Sequence, residues 1–257
     1  MAVRAAQNFV LYKDSDNMYW MQQEPKSVMQ RISAYAQSGS GYFRIPKTIS
    51  LALQWLAECV PNTRVAAAIE PRAQIVGNWA NGLAFVRTID LSCNYAGKIT
   101  ALTSDPSADN AMSALGATAD LVASAAYTTS AFCFAKQCLE IGNICSLASD
   151  TVDLIGSSTK LSTAMHRRAR ANCEESFRQM THEEAVLRVL QVAKAVTAVV
   201  GGIFSVLVMI LGRHVVSPFV AVTTSLITSI LALTAQAQED SLSWKYIGPL
   251  PATLVLA

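Results

Sequence analysis

Two uncharged runs near the C-terminus constrain this chain more than anything else in it. Ala195–Leu211 is 17 residues long without a charge, Gly212-Arg213-His214 interrupts, and Val215–Gln238 adds 24 more. A helix rises 1.5 Å per residue, so crossing a hydrocarbon core of about 30 Å takes about 17–25 residues. Each run is long enough, and the short polar step between them predicts a transmembrane helical hairpin over 181–240. Local signals agree. Thr181-His-Glu-Glu184 has capping-box spacing ahead of the first helix, and Ser217-Pro218 offers an N-cap followed by proline at the first helical position of the second. A buried helix pair in a soluble all-α domain also fits runs of Ala, Val and Thr. Such helices normally keep one polar face, however, and neither run carries a charge anywhere on its circumference.

The expected fold class is therefore all-α: a helical integral membrane protein with an amphipathic N-terminal region and a C-terminal hairpin. Composition fits, because the 257 residues are 52% hydrophobic and only 15% charged, against about a quarter charged in ordinary soluble domains. A net charge of +2, with no Lys/Arg run interleaved with aromatic residues, excludes nucleic acid as a partner. The N-terminus has no apolar signal core, and the expectation is that it stays on the mature protein. Six cysteines show no CxxC pair and no histidine at ligand spacing, so free thiols are expected, with no metal and no cofactor.

Residues 1–158 read as a series of apolar and amphipathic helices after a polar, aromatic arm that reaches about Glu24. Pro25 opens a helix through Ala36, Pro46 opens one that Pro61-Asn62 stops, and a longer helix is expected from about Arg72 to Leu102. In Ala111–Ala135 Asp120 is the single charge, and the stretch is rich in Ala, Ser and Thr. A third span, a helix packed on the hairpin and a soluble core helix all fit it. If it spans, the Asp120 side must face protein or water. Lys136–Ser158 continues helically until Gly156-Ser-Ser-Thr159 is expected to break it.

Residues 159–180 form a polar, basic connector. Arg167, Arg168 and Arg170, with Lys194 and Arg213, suit anionic lipid headgroups, while a solvated linker fits the same charges. Most cations flank the hairpin rather than its loop, so the positive-inside rule puts both termini on the cytoplasmic or equivalent side. The short tail, 241–257, reads as a docking segment with Trp244 and Tyr246 suited to an interface. Within the hairpin, Gly201 and Gly202 on the first helix and the Ser225 and Ser229 side of the second are the expected packing residues, since small side chains let helices approach closely.

No catalytic constellation is present. His166, His182 and His214 lie in or beside polar turns, and GxSxG, HExxH, GxGxxG and P-loop patterns are absent. No enzyme activity is expected.

The stretch LRVLQVAKAVTAVVGGIFSVLVMILGRHVVSPFVAVTTSLITSILAL, with Leu211-Gly212 at its turn and Ser225-Leu-Ile-Thr-Ser-Ile230 in its second helix, resembles the terminal hairpin of the peroxin-eleven family. That resemblance covers about the last 70 residues and implies elongation or division of a peroxisome-like membrane. The family's Arg/Lys-rich opening helix has no clear counterpart here. The hairpin is also similar to the bilobed apolar segment of chlamydial inclusion membrane proteins, effectors displayed on a vacuole membrane. The expected function is thus shaping or scaffolding of an organelle membrane, with lipid, other membrane proteins or further copies of the chain as partners. An accessory subunit of a respiratory-type complex in the mitochondrial inner membrane is a further alternative.

Overall fold

The computed structural model describes residues 2–4, 10–13, 19–22, 27–37, 39–133, 135–170, 175–212, 215–242 and 244–248. Helices carry the fold, as expected from the sequence. They are α1 (Val28–Gln37), α2 (Gly39–Cys59), α3 (Arg64–Ser104), α4 (Ala108–Cys133), α5 (Lys136–Arg170), α6 (Glu175–Leu211) and α7 (Pro218–Ser241). From α2 onward each helix packs on the next, and α7 closes back on α2, so six antiparallel helices form a ring with α1 outside it against α2.

The all-α expectation needs one addition. Strands β1 (Ala2–Arg4), β2 (Val10–Lys13), β3 (Tyr19–Gln22) and β4 (Trp244–Gly248) form an antiparallel sheet in the order β1-β2-β3-β4. The polar, aromatic arm and the docking tail, read as separate segments, are joined here. Trp20 pairs with Tyr246 and is fully buried. Because β3 precedes the ring and β4 follows it, their pairing joins the segments that enter and leave the ring.

Several boundaries also move. The helix expected from Arg72 starts at Arg64, where the Thr63 hydroxyl accepts from the Ala66 amide at 3.1 Å, and Pro71 is carried inside it. Gly156-Ser-Ser-Thr159 does not break α5, which continues to Arg170. Thr159 donates its hydroxyl to the Ile155 carbonyl at 3.0 Å, so the polar side chain is satisfied without leaving the helix. The basic connector is thus helical on both sides of 171–174, which lie outside the described residues. Thr181 is not an N-cap either. It is fully buried inside α6, because the bonds from Arg167 on α5 to Glu184 extend the helix past its local start signal. The Ser217-Pro218 cap stands where the sequence puts it, with the Ser217 hydroxyl accepting from the Phe219 amide at 3.3 Å.

Burial is inverted relative to a water-soluble bundle. Fully buried positions hold small or polar side chains such as Ala80, Ala84, Ser50, Ser124 and Ala195, while Trp79 is 71% exposed and Phe132 69%. Ile75, Phe85, Ile89, Ile144 and Ile203 also point outward. On α3, Arg72 and Asp90 are exposed with no exposed charge between them, a separation of about 27 Å at the helical rise. Outward threonines such as Thr129 and Thr151 donate to carbonyls one turn back in their own helices. The two helical stretches Met180–Leu211 and Pro218–Ser241 are long and apolar enough to cross a membrane.

Candidate functional site

Small residues at the contacts set the ring's geometry, and hydroxyl bonds tie neighbours together. Ser50 on α2 donates to the Ala73 carbonyl on α3 at 2.8 Å, and Ser124 on α4 donates to the Ala84 carbonyl at 3.0 Å. Tyr127 on α4 donates to Asn143 on α5 at 3.1 Å, and the Thr197 and Thr228 hydroxyls of α6 and α7 lie 3.0 Å apart. Trp55 and Phe219 stack where α2 meets α7, with centroids 6.5 Å apart. Closing the ring with side chains this small leaves its axis unfilled.

The space on the axis is a chamber of about 780 Å³ to which all six ring helices contribute. Its walls carry eight Arg, Lys and Asp side chains. Arg44 and Lys47, one turn apart on α2, Arg87 on α3, Lys160 on α5 and Lys194 on α6 supply the cations; Asp120 on α4 and Asp150 and Asp153 on α5 supply the carboxylates. Two pairs are closed: Arg87 to Asp120 at 3.1 Å and Lys194 to Asp153 at 2.7 Å. Arg44, Lys47, Lys160 and Asp150 have no opposite charge within ion-pair distance among the described residues, although Arg44 and Lys194 both act on Asp150 through space.

Aromatic rings hold the cations in place. The Arg87 guanidinium lies 5.1 Å from the centre of the Phe43 ring and the Lys47 ammonium 5.9 Å from that of Tyr127, and the two rings stack on each other at 6.5 Å. A cation over an aromatic face is stabilised without a carboxylate and keeps its charge available. Asn143, Ser146 and Ser149 add neutral polar groups to the wall. Among the described residues no three His, Cys, Asp or Glu side chains converge as a metal site.

The residues singled out from the sequence fall into three places. Gly201 faces α7: a Cβ there would meet Thr224 Oγ1 at 2.9 Å and the Ser225 amide nitrogen at 3.4 Å. Gly202 does not share that crossing. A helix turns about 100° per residue, and Gly202 lies instead against Leu147 of α5, whose Cδ1 an added Cβ would meet at 2.9 Å. Ser225 and Ser229 both line the chamber. Of the expected headgroup residues, Arg167 is bonded to Glu184 at 2.6 Å and Lys194 to Asp153, so both are engaged inside the bundle, because a nearby buried or chamber carboxylate outcompetes the surface. Arg168 is exposed. The Arg170 side chain and the whole of Arg213 lie outside the described residues.

Among the wall's charges, Asp120 is the one whose inward placement the sequence anticipates. Arg44, Lys47, Arg87, Asp150 and Asp153 come from three helices and converge only when the ring closes. No protein-family model, curated protein or solved structure matches the chain.

Proposed function

We propose that this chain is a non-enzymatic integral membrane protein whose six ring helices cross the bilayer together and hold a polar solute chamber at their centre. The observation that carries the reading is the inverted burial: apolar side chains outward, small and ionised ones inward. In water, leaving side chains such as Trp79, Phe85 and Ile144 exposed forfeits about 1.5–3 kcal/mol each, whereas in lipid the outward face is satisfied. In lipid an ionisable side chain must face the bundle interior or water, which is where Arg87 and Asp120 point. The spacing from Arg72 to Asp90 on α3 matches a hydrocarbon core of about 30 Å.

On this reading both termini lie at the rim carrying the arginine-rich ends of α5 and α6, and the positive-inside rule makes that rim cytoplasmic. Ring helices lacking the hydropathy of α6 and α7 insert because their charges face the chamber and their exposed hydroxyls are bonded within the helix. The test is extraction. The protein should stay in the membrane pellet at alkaline pH in carbonate, and so should a chain ending at Arg170, which keeps α2–α5 but loses α6 and α7. Release of the shortened chain would limit the membrane-crossing part to the hairpin.

A second reading, membrane shaping or scaffolding as the peroxin-eleven resemblance implies, is favoured by the outward aromatic residues Trp79, Phe85 and Phe132, which suit helix contacts with other membrane proteins. Under it the chamber charges are dispensable, and organelle elongation on overexpression would persist when they are neutralised.

A further inference from the structure

We propose that the chamber is a binding site for a small organic dianion, a dicarboxylate or a phosphate monoester, held by Arg44 and Lys47 of α2. The inference rests on the chamber described above and extends the solute reading to a ligand class.

The first support is the charge left over. With Arg87 closed on Asp120 and Lys194 on Asp153, Arg44, Lys47 and Lys160 face Asp150 alone, and the wall keeps an excess of two positive charges. Lys160 is exposed, but Arg44 and Lys47 are half-buried, and unpaired cations held back from bulk water are costly unless something answers them. A ligand of charge −2 restores neutrality; a neutral or cationic one does not.

The second support is placement. Arg44 and Lys47 are three residues apart on α2 and line the same wall, so two acidic groups of one molecule, or several oxygens of one phosphate, can be met together. Arg presents a planar fork suited to carboxylate or phosphate and Lys a point charge. The Lys47 ammonium is steadied over the Tyr127 ring rather than by a carboxylate, which leaves its donors free. Asn143 and Ser149 line the same space and give a ligand's hydroxyl or carbonyl oxygen a partner. About 780 Å³ is within the roughly 300–1,000 Å³ range of small-molecule sites. It is far larger than a halide needs, which favours an organic anion. Asp150 opposes the ligand's charge, and its neutralisation should therefore tighten binding, an effect opposite in sign to that of a merely structural loss.

The experiment uses the full chain purified in detergent, titrated calorimetrically with succinate and with glycerol 1-phosphate. Sodium chloride at matched ionic strength, glucose and choline serve as controls. At least one dianion should bind and raise the unfolding midpoint beyond the chloride control. The Arg44→Gln, Lys47→Gln double variant should lose at least tenfold in affinity, Asp150→Asn should gain severalfold, and Arg44→Lys, Lys47→Arg should keep most binding, with all variants eluting at the wild-type size. Binding of neither dianion beyond chloride would overturn the proposal. So would equal affinity in the double Gln variant, or a loss of affinity in Asp150→Asn. Because binding is read in detergent, its failure leaves the membrane reading standing, while carbonate release of a chain that binds succinate would remove the membrane reading and keep the ligand.

Discussion

The Arg87 guanidinium on α3 donates to the Asp120 carboxylate on α4 across 3.1 Å, with the Arg87 side chain 15% and the Asp120 side chain 38% exposed. Breaking a fully buried pair costs about 3–5 kcal/mol and an exposed one about 0–1, which puts this half-wet pair at about 2 kcal/mol. Asp120→Asn should therefore lower the thermal midpoint in detergent, and Arg87→Gln should do the same. The double variant should lose clearly less than the two losses added together. Strict additivity in the cycle would show that the pair is not coupled.

Glu184 makes a tighter contact at the end of the ring where α5 passes into α6. Its side chain is 5% exposed, accepts from Arg167 at 2.6 and 3.3 Å, and has Arg188 at 3.7 Å. Glu184→Ala leaves two arginines around an empty acceptor and should cost about 3–5 kcal/mol. Glu184→Gln, which keeps an oxygen, should cost less. Chemical denaturation of both variants in micelles provides the comparison, and equal losses would mean that the neutral amide oxygen recovers none of the interaction.

The two central glycines should differ from a third. Gly201→Val drives a side chain into the Thr224 and Ser225 region, where one neighbour is a backbone nitrogen, and Gly202→Leu drives one into Leu147. Overpacking of this kind costs about 1–3 kcal/mol. Gly97 on α3 has nothing within 4 Å of a Cβ, so Gly97→Ala should stabilise by about 0.5–1 kcal/mol through helix propensity alone. Unfolding midpoints of the three variants check the ordering.

The termini should behave as one unit. Trp20 on β3 is fully buried, and β3 pairs with β4 from the other end of the chain. Removing a buried Trp ring costs about 3–5 kcal/mol, here concentrated on a small sheet. In Trp20→Ala, limited proteolysis should therefore cut both ends together while the ring survives. Cleavage at the N-terminal end alone would mean that the sheet does not couple them.

What the sequence discloses follows the range of the interaction. The α6–α7 hairpin and the Ser217 cap are local, written in uncharged runs and in one Ser-Pro step, and can be read directly. Pairing of Trp20 with Tyr246 links residues more than 200 positions apart, and three- to five-residue strands leave no periodicity to find. Thr181 carries a local capping signal that the buried Glu184–Arg167 contact overrides. The chamber is legible only in fragments. Asp120, alone in an uncharged stretch, asks for a polar neighbour, yet nothing in the sequence names Arg87 as that neighbour or says that α7 returns to α2. The Gly201–Gly202 pair reads in the sequence as one packing motif, but the assignment of one glycine to α7 and the other to α5 depends on helix rotation within the ring.

On the proposed reading, lipid surrounds the whole ring and water, not lipid, fills its axis. Spin labels on a cysteine-free background at Trp79, Ile144 and Ser149 test it directly in reconstituted bilayers. Labels at Trp79 on α3 and Ile144 on α5 should collide more with dissolved oxygen than with a water-soluble nickel chelate, and the label at Ser149 should show the reverse. If Trp79 and Ile144 instead meet the nickel chelate as freely as an aqueous loop does, α3 and α5 stand in water, and the account of a six-helix membrane ring is contradicted.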